Sequence, residues 1–324
     1  MKMSDRVPYI PPSMRSVIEE KTPEIPEWLK DNYPDWLDDY MLIYDVDHPI
    51  SREQFEEFEK VHEDQIDRQL ILPEIREFKH ADSSRKNIEI VKKSLCAVEN
   101  FAMDEINKFH RLKFKDKDEK EMIFKTMLRF RHNVSWTHFE WEHLKKLNDY
   151  INSKIDSPFI VDLYAGHGYI AKVFEYLGYL VKAYDDYSWT VNPIFTKVTK
   201  KSAVDAVEET FDTVQKEKNI IFMFIMPPGD DDDSAQKALM QILKNGKTHM
   251  GNIYVLCVSD FPGYDTLNKN EEPLISANPE FFNLLYSNGE YIDEYRLVDF
   301  LLQHSAFKNI YSSESQRCKL FKLK

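Results

Sequence analysis

Asp162, Gly166, Gly168 and the pair Asp185-Asp186 are the residues of this 324-residue chain whose types and spacing best support chemistry. In FIVDLYAGHGYIAKVFEYLGYLVKAYDD an apolar run ends on Asp162, the turn Tyr164-Ala165-Gly166-His167-Gly168 follows, and a second apolar run ends on Asp185-Asp186. Glycines at such a turn let the backbone approach a ligand closely and take torsions other residues resist. An acid at the tip of the second run is placed to accept hydrogen bonds from ribose hydroxyls. Two readings follow: a nucleotide or nucleoside site, or a Rossmann-like turn that serves structure alone.

A second candidate is IIFMFIMPPGDDDDSAQKAL, an apolar run closed by Pro227-Pro228-Gly229 and the acids Asp230–Asp233. The acids can cap a following helix, whose N-terminus favours negative charge. Alternatively they set negative charge beside a pocket, repelling a phosphate backbone and favouring a cation. A third is the one basic stretch, Lys108–Lys117 and Phe124–Trp141. There Lys108, Arg111, Lys113, Lys115, Lys125, Arg129 and Arg131 interleave with Phe109, Phe114, Phe124, Phe130 and Trp136. Such a mixture can grip single-stranded nucleic acid, or the aromatics are core and the cations a solvated face. Nucleophilic catalysis has no support, because no G-x-S-x-G is present. Cys96, Cys257 and Cys318 have no zinc-site or disulfide spacing, and His167 and His304 stand apart, so no metal is expected.

Elements that could position these residues are readable from periodicity. From Ser157 onward apolar runs alternate with helical segments, the pattern of a parallel sheet with crossover helices. Strands are expected at Phe159–Tyr164, Leu180–Tyr184, Ile220–Met226 and Ile253–Ser259, with a weaker one near Phe195–Val198. Helices are expected at Ile170–Leu177, Val204–Lys216 and Ser234–Leu243. The end reads as helix Asp293–Gln303, strand Lys308–Ser312 and strand Arg317–Leu323, which makes the last strand antiparallel. Before Ser157 the pattern is helical: a Ser51 capping box opens one helix, others cover Ser84–Phe109 and Glu119–His132, and Thr137 with Glu140 caps the last. The expected fold is therefore α/β. It has a Rossmann-like, mostly parallel sheet with an antiparallel C-terminal strand (155–324), a helical region before it (51–154) and a Pro- and acid-rich arm (1–50).

Asp-Leu-Tyr-Ala-Gly-His-Gly resembles the first motif of class I S-adenosylmethionine-dependent methyltransferases, in the aromatic-containing version of the amino-group enzymes, with Tyr164 as the aromatic. The dinucleotide oxidoreductase loop fits less well, because its third glycine would be Ala171. The resemblance implies S-adenosylmethionine as cofactor. Asp162, Tyr164 and the Ala165–Gly168 backbone would lie at its methionine end, Asp185 or Asp186 at the ribose, and backbone groups or Asp205 at the adenine. It also implies a catalytic turn at Pro227, Pro228, Gly229 and Asp230. In amino methyltransferases a polar residue precedes the two prolines and an aromatic follows. Here Met226 and Gly229 stand there, a thioether being a poor acceptor and glycine offering no stacking face. The functions implied are methyl transfer to a nitrogen of RNA, DNA or protein, or an inactive scaffold that binds a protein partner or senses the cofactor. Trp136, His138 and Trp141 are candidates for a helix closing over the cofactor, and His138 for a general base.

Bulk properties narrow the classes further. A net charge of -13 disfavours non-specific polyanion binding over the whole surface. The opening MKMSDRVPYIPPSM has no apolar core and no run approaches a membrane span, so a cytoplasmic or nuclear location is expected, with no membrane partner. Trp28, Trp36 and Tyr40 in the N-terminal arm could dock on a protein partner or pack on their own domain.

Overall fold

In a computed structural model of the chain, residues 72–81, 86–112, 120–188 (less 121–122, 124–125, 128–129 and 132), 195–229, 232–261, 276–298 and 316–323 are described. Two strands built on apolar runs form the centre of the sheet. They are β1 (Phe159–Asp162) and β4 (Ile220–Ile225), and all six residues of β4 are buried. Such runs mark strands covered on both faces. Strand alternation divides β4 between two layers. Ile221, Met223 and Ile225 enter one core, and Ile220, Phe222 and Phe224 the other.

Around them lie β2 (Leu180–Asp185), β3 (Val198–Lys200), β5 (Ile253–Asp260), β6 (Gly289–Tyr295) and β7 (Gln316–Leu323). The strand order is β3-β2-β1-β4-β5-β7-β6. The first five are parallel, and β7 runs antiparallel between β5 and β6. The fold is thus α/β with a mostly parallel sheet, an antiparallel C-terminal strand pair and helices ahead of it, as the alternation of elements predicts.

One face is covered by α5 (Ala203–Thr213), α6 (Ser234–Gly246) and α7 (Pro279–Asn288). The other carries α4 (Tyr169–Tyr176) together with α1 (Pro73–His80), α2 (Ile88–Arg111) and α3 (Trp141–Lys154). The early helices therefore share the core of the sheet. Phe78 of α1 lies 5.0 Å from the Tyr169 ring and 5.1 Å from the Tyr176 ring. The Tyr176 hydroxyl is shared between the Phe78 and Ala81 carbonyls at 2.9 and 2.7 Å, and Ser94 of α2 bonds the Tyr169 hydroxyl at 2.8 Å.

Several expectations are corrected. Asp293–Tyr295 belong to β6 and not to a helix. This is an edge strand with Tyr291 exposed and a register irregularity between Tyr291 and Asp293, so its sequence lacks both an apolar run and clean alternation. Thr137 caps nothing. Phe139 bridges Leu297, the Glu140 amide donates to the Arg296 carbonyl at 3.3 Å, and the helix begins only at Trp141. The strand expected at Phe195–Val198 lies at Val198–Lys200 instead. Helix α7 was missed although its start is written plainly: Asn278 accepts the Phe281 amide at 2.9 Å, and Pro279 sits at the first helical position. The expected strand Lys308–Ser312, the arm and the Ser51 helix lie outside the described residues. Residues from Ile71 onward form a compact unit of their own.

Because Phe78 is fully buried against α4, Phe78→Ala should destabilise the whole 71–324 unit by about 3–5 kcal/mol in a single urea transition. A separate early transition, with the sheet unfolding as in the native chain, would contradict one shared core.

Candidate functional site

At the C-terminal end of β1 the chain turns through Leu163 and Tyr164 into the two-glycine loop. Gly166 and Gly168 take φ of 50° and 80°, the left-handed region that glycine enters without a Cβ penalty. Their surroundings differ. A Cβ on Gly168 would stand 2.9 Å from Thr196 Cγ2 and 3.1 Å from Val198 Cγ2, so this glycine serves packing. A Cβ on Gly166 would meet nothing within 4 Å, so the loop opens outward there.

Asp185, the last residue of β2, holds the loop. Its Oδ2 accepts the Gly166 amide at 2.9 Å and its Oδ1 accepts the Tyr187 amide at 2.9 Å. Asp185 is half-buried, and burial raises its carboxyl pKa while these two amides oppose the rise. Asp186, by contrast, is exposed and accepts only its local Ser188 amide at 2.8 Å. The Ala165 amide donates to the Tyr184 carbonyl at 3.0 Å, and the Gly168 amide to the Ala165 carbonyl at 2.7 Å. Three loop amides are thus engaged inside the protein. What the loop presents to a ligand is the open surface at Gly166 and the remaining lone pairs of Asp185. His167 contributes its carbonyl, which accepts the Phe195 amide at 3.2 Å.

Asp162 is fully buried. Its Oδ1 accepts the Tyr164 amide at 3.4 Å, and its Oδ2 has no hydrogen-bond partner. Burial, reinforced by the Asp185 charge and opposed by the Tyr164 amide, pushes its pKa up to about 8. A buried carboxyl oxygen without a donor is costly, and a cationic donor would satisfy it. Tyr164 points the other way. Its ring lies 6.0 Å from Phe224 and its hydroxyl 3.1 Å from the Ser234 hydroxyl at the start of α6. The aromatic of the loop therefore braces it against the element that follows the Pro-Pro turn.

In that turn Met226 adopts φ 48°, and Ala277, which bonds the turn's carbonyls, φ 54°. Each such residue costs roughly 1–2 kcal/mol. The Ala277 amide donates to both the Pro227 and Pro228 carbonyls, at 3.2 and 3.1 Å. Pro228 also bridges Ser276, and Gly229 bridges Ala277. This contact has no signal in the sequence, because Ala277 is remote along the chain and has no distinctive side chain. Asp230 lies outside the described residues. Asp232 accepts the Ser234 amide at 2.7 Å and Asp233 pairs with Lys237, so the described part of the acidic run serves the helix start.

Other candidates have structural duties. Asp205 is tied to Ser202 in a reciprocal cap of α5, with bonds of 3.2 and 2.7 Å. His138 is buried between the Phe130 and Tyr169 rings, and burial together with the Arg131 charge pushes its pKa down to about 3. It is neutral core and forms no lid. Trp141 packs half-buried against the same core, and the Trp136 carbonyl accepts the Arg131 guanidinium at 2.7 Å. Within the basic stretch Phe130 and Arg131 are buried, and Lys108 pairs with Glu105. Lys113, Phe114, Lys115, Phe124, Lys125 and Arg129 lie outside the described residues. Among the described residues no cluster of three His, Cys, Asp or Glu could hold a metal, and no helix is long and apolar enough to cross a membrane.

No family model matches the sequence, and no curated protein does. Solved structures do match. A 1,6-didemethyltoxoflavin-N1-methyltransferase from Burkholderia thailandensis, with 1,6-didemethyltoxoflavin and S-adenosylhomocysteine bound, is 13% identical over 56% of this chain and 78% of its own, with a TM-score of 0.32. An rRNA methylase from Streptococcus thermophilus is 14% identical over 56% of this chain and 95% of its own, with a TM-score of 0.28. A geranyl diphosphate methyltransferase in complex with GPP and sinefungin is 11% identical over 57% of this chain and 77% of its own, with a TM-score of 0.30.

The two glycines should respond differently. Gly168→Ala, strained and in contact, should cost about 2–3 kcal/mol in denaturant unfolding, and Gly166→Ala, facing open space, only about 1 kcal/mol. Equal losses would contradict the assignment of Gly166 to the open side of the loop.

Proposed function

We propose that the chain binds S-adenosylmethionine at the Asp162–Gly168 loop and passes its methyl group to a nitrogen of a nucleic acid or protein. One observation carries this reading: the Asp185 carboxylate clamps the Gly166 amide, fixing a left-handed glycine whose outer side is open. In this reading Asp162 Oδ2, buried without a donor, takes the cofactor's ammonium, and Asp185 and Asp186 face its ribose hydroxyls. The group supplies an electrophilic methyl on a positively charged sulfur. The protein's part is to orient the acceptor in line with that methyl and to exclude water, which is rate gained by positioning.

A second reading has its own observation. The Met226 side chain offers only a poorly accepting thioether, and both proline carbonyls already hold the Ala277 amide. The chain would then bind the cofactor without transfer, as a sensor or as a scaffold for a protein partner. Incubation with methyl-labelled S-adenosylmethionine and separate RNA, DNA and protein extracts decides between them. Label in one fraction, abolished by Gly166→Arg, supports transfer. Cofactor binding with no label in any fraction supports the scaffold.

Asp162 adds a pH signature. Its pKa in the folded protein lies above the unfolded value, so the ligand-free fold holds an extra proton between about pH 4 and pH 8 and loses stability as pH rises through that window. A cation needing the anionic form should therefore release about one proton on binding at pH 7. Calorimetry in two buffers of different ionisation heat should show this release in the native chain and its loss in Asp162→Asn. Binding with no proton release by the native chain would contradict the assignment.

A further inference from the structure

Proline has no amide hydrogen. Pro227 and Pro228 therefore give their turn two main-chain acceptors and no main-chain donor. Met226 adds no donor either, and its own amide is already committed to the Val258 carbonyl at 2.9 Å. The two proline carbonyls of this turn, at the C-terminal edge of the sheet, recognise a group that brings its own N–H or O–H. The structure holds such a donor in place. The Ala277 amide makes a three-centre bond to both carbonyls, and the chain on either side runs along the turn through the Pro228–Ser276 and Gly229–Ala277 bridges.

This segment is anchored from outside the turn. The Ser276 hydroxyl meets the Ser259 hydroxyl at 2.8 Å, with both serines fully buried. Asn278 donates to Gln236 of α6 at 3.1 Å while capping α7. Ala277 is fully buried and held in the left-handed region, where an alanine does not settle unless its neighbours fix it.

We infer that residues 276–278 are an internal occupant of the Pro-Pro turn. The Ala277 amide fills the acceptor pair that the N–H of a substrate would use, and the turn opens to an amine only when this segment lifts. Ala277 thereby sets which acceptors the site takes. An amine that must bind through these carbonyls is excluded while the strap is seated. The inference rests on the methyl-transfer reading for what the opened turn does; the occupancy itself does not depend on it.

The full chain is compared with Ser259→Ala/Ser276→Ala, which removes the anchor, and with Ala277→Pro, which removes the amide and cannot adopt the positive φ. Methyl-labelled S-adenosylmethionine is supplied with an adenine-rich oligonucleotide or a lysine-rich peptide. The expected result is cofactor affinity within about twofold of native for the double variant, and amine methylation raised tenfold or more in both variants. Variants that bind the cofactor normally and methylate neither probe faster overturn the inference. If the native chain binds no S-adenosylmethionine, the functional reading fails by itself, and amide exchange then judges the strap. Exchange at Ala277 that is slow in the native chain, and at least tenfold faster in the double variant with β4 amides unchanged, supports occupancy. Exchange at the rate of a free peptide in the native chain overturns it.

Discussion

The Asp185 carboxylate takes the Gly166 amide on one oxygen and the Tyr187 amide on the other, and the C-terminal edge of the sheet is arranged around that pair of bonds. Parallel pairing of β1 with β2 brings Asp162 opposite Ala183, so β2 runs two residues further and delivers Asp185 beside the loop. The loop then needs only glycine torsions to meet it. Two acids brought near each other at the ends of adjacent strands would ordinarily repel. Here burial moves the difficulty onto Asp162, which stays protonated until a cation or rising pH ionises it. This end of the sheet therefore holds a carboxyl that is satisfied, Asp185, and one that is not, Asp162.

How much of this was legible in the sequence follows from burial. Strands β1, β4 and β5 are covered on both faces, so selection for apolar side chains writes them as runs, and their ends were read to within two residues. Edge strand β6 has one wet face and a register irregularity, so GEYIDEY looks like nothing in particular. The Asp162, Gly166, Gly168 and Asp185 set was visible because its spacing is local to one strand-turn-helix-strand unit. Its hydrogen-bond partners were not. That Asp185 holds Gly166, and that three loop amides are consumed internally, depends on torsions that residue types do not encode.

The early helices show the opposite case. Their apolar periodicity was plain, but not what they pack on. The structure puts Phe78, Ser94, Phe130 and His138 around Tyr169, the first residue after the glycine loop. The loop is thus braced from below by residues that precede the sheet, of which a sequence reading assigns Phe130 to nucleic-acid contact and His138 to a lid. Tyr164 braces it from the side through Ser234. The contact between Ala277 and the Pro-Pro turn had no local signal at all, since it joins residues about fifty positions apart through a backbone amide.

If the Asp185–Gly166 bond organises a cofactor loop, its loss must be felt in cofactor affinity before it is felt in the fold. Equilibrium dialysis of labelled S-adenosylmethionine against the native chain and Asp185→Ala at pH 7 reads this directly. The account predicts saturable binding by the native chain and at least tenfold weaker binding by the variant, about 1.4 kcal/mol, with native-like cooperative unfolding. No saturable binding by the native chain, or equal affinity in the two proteins, would contradict it.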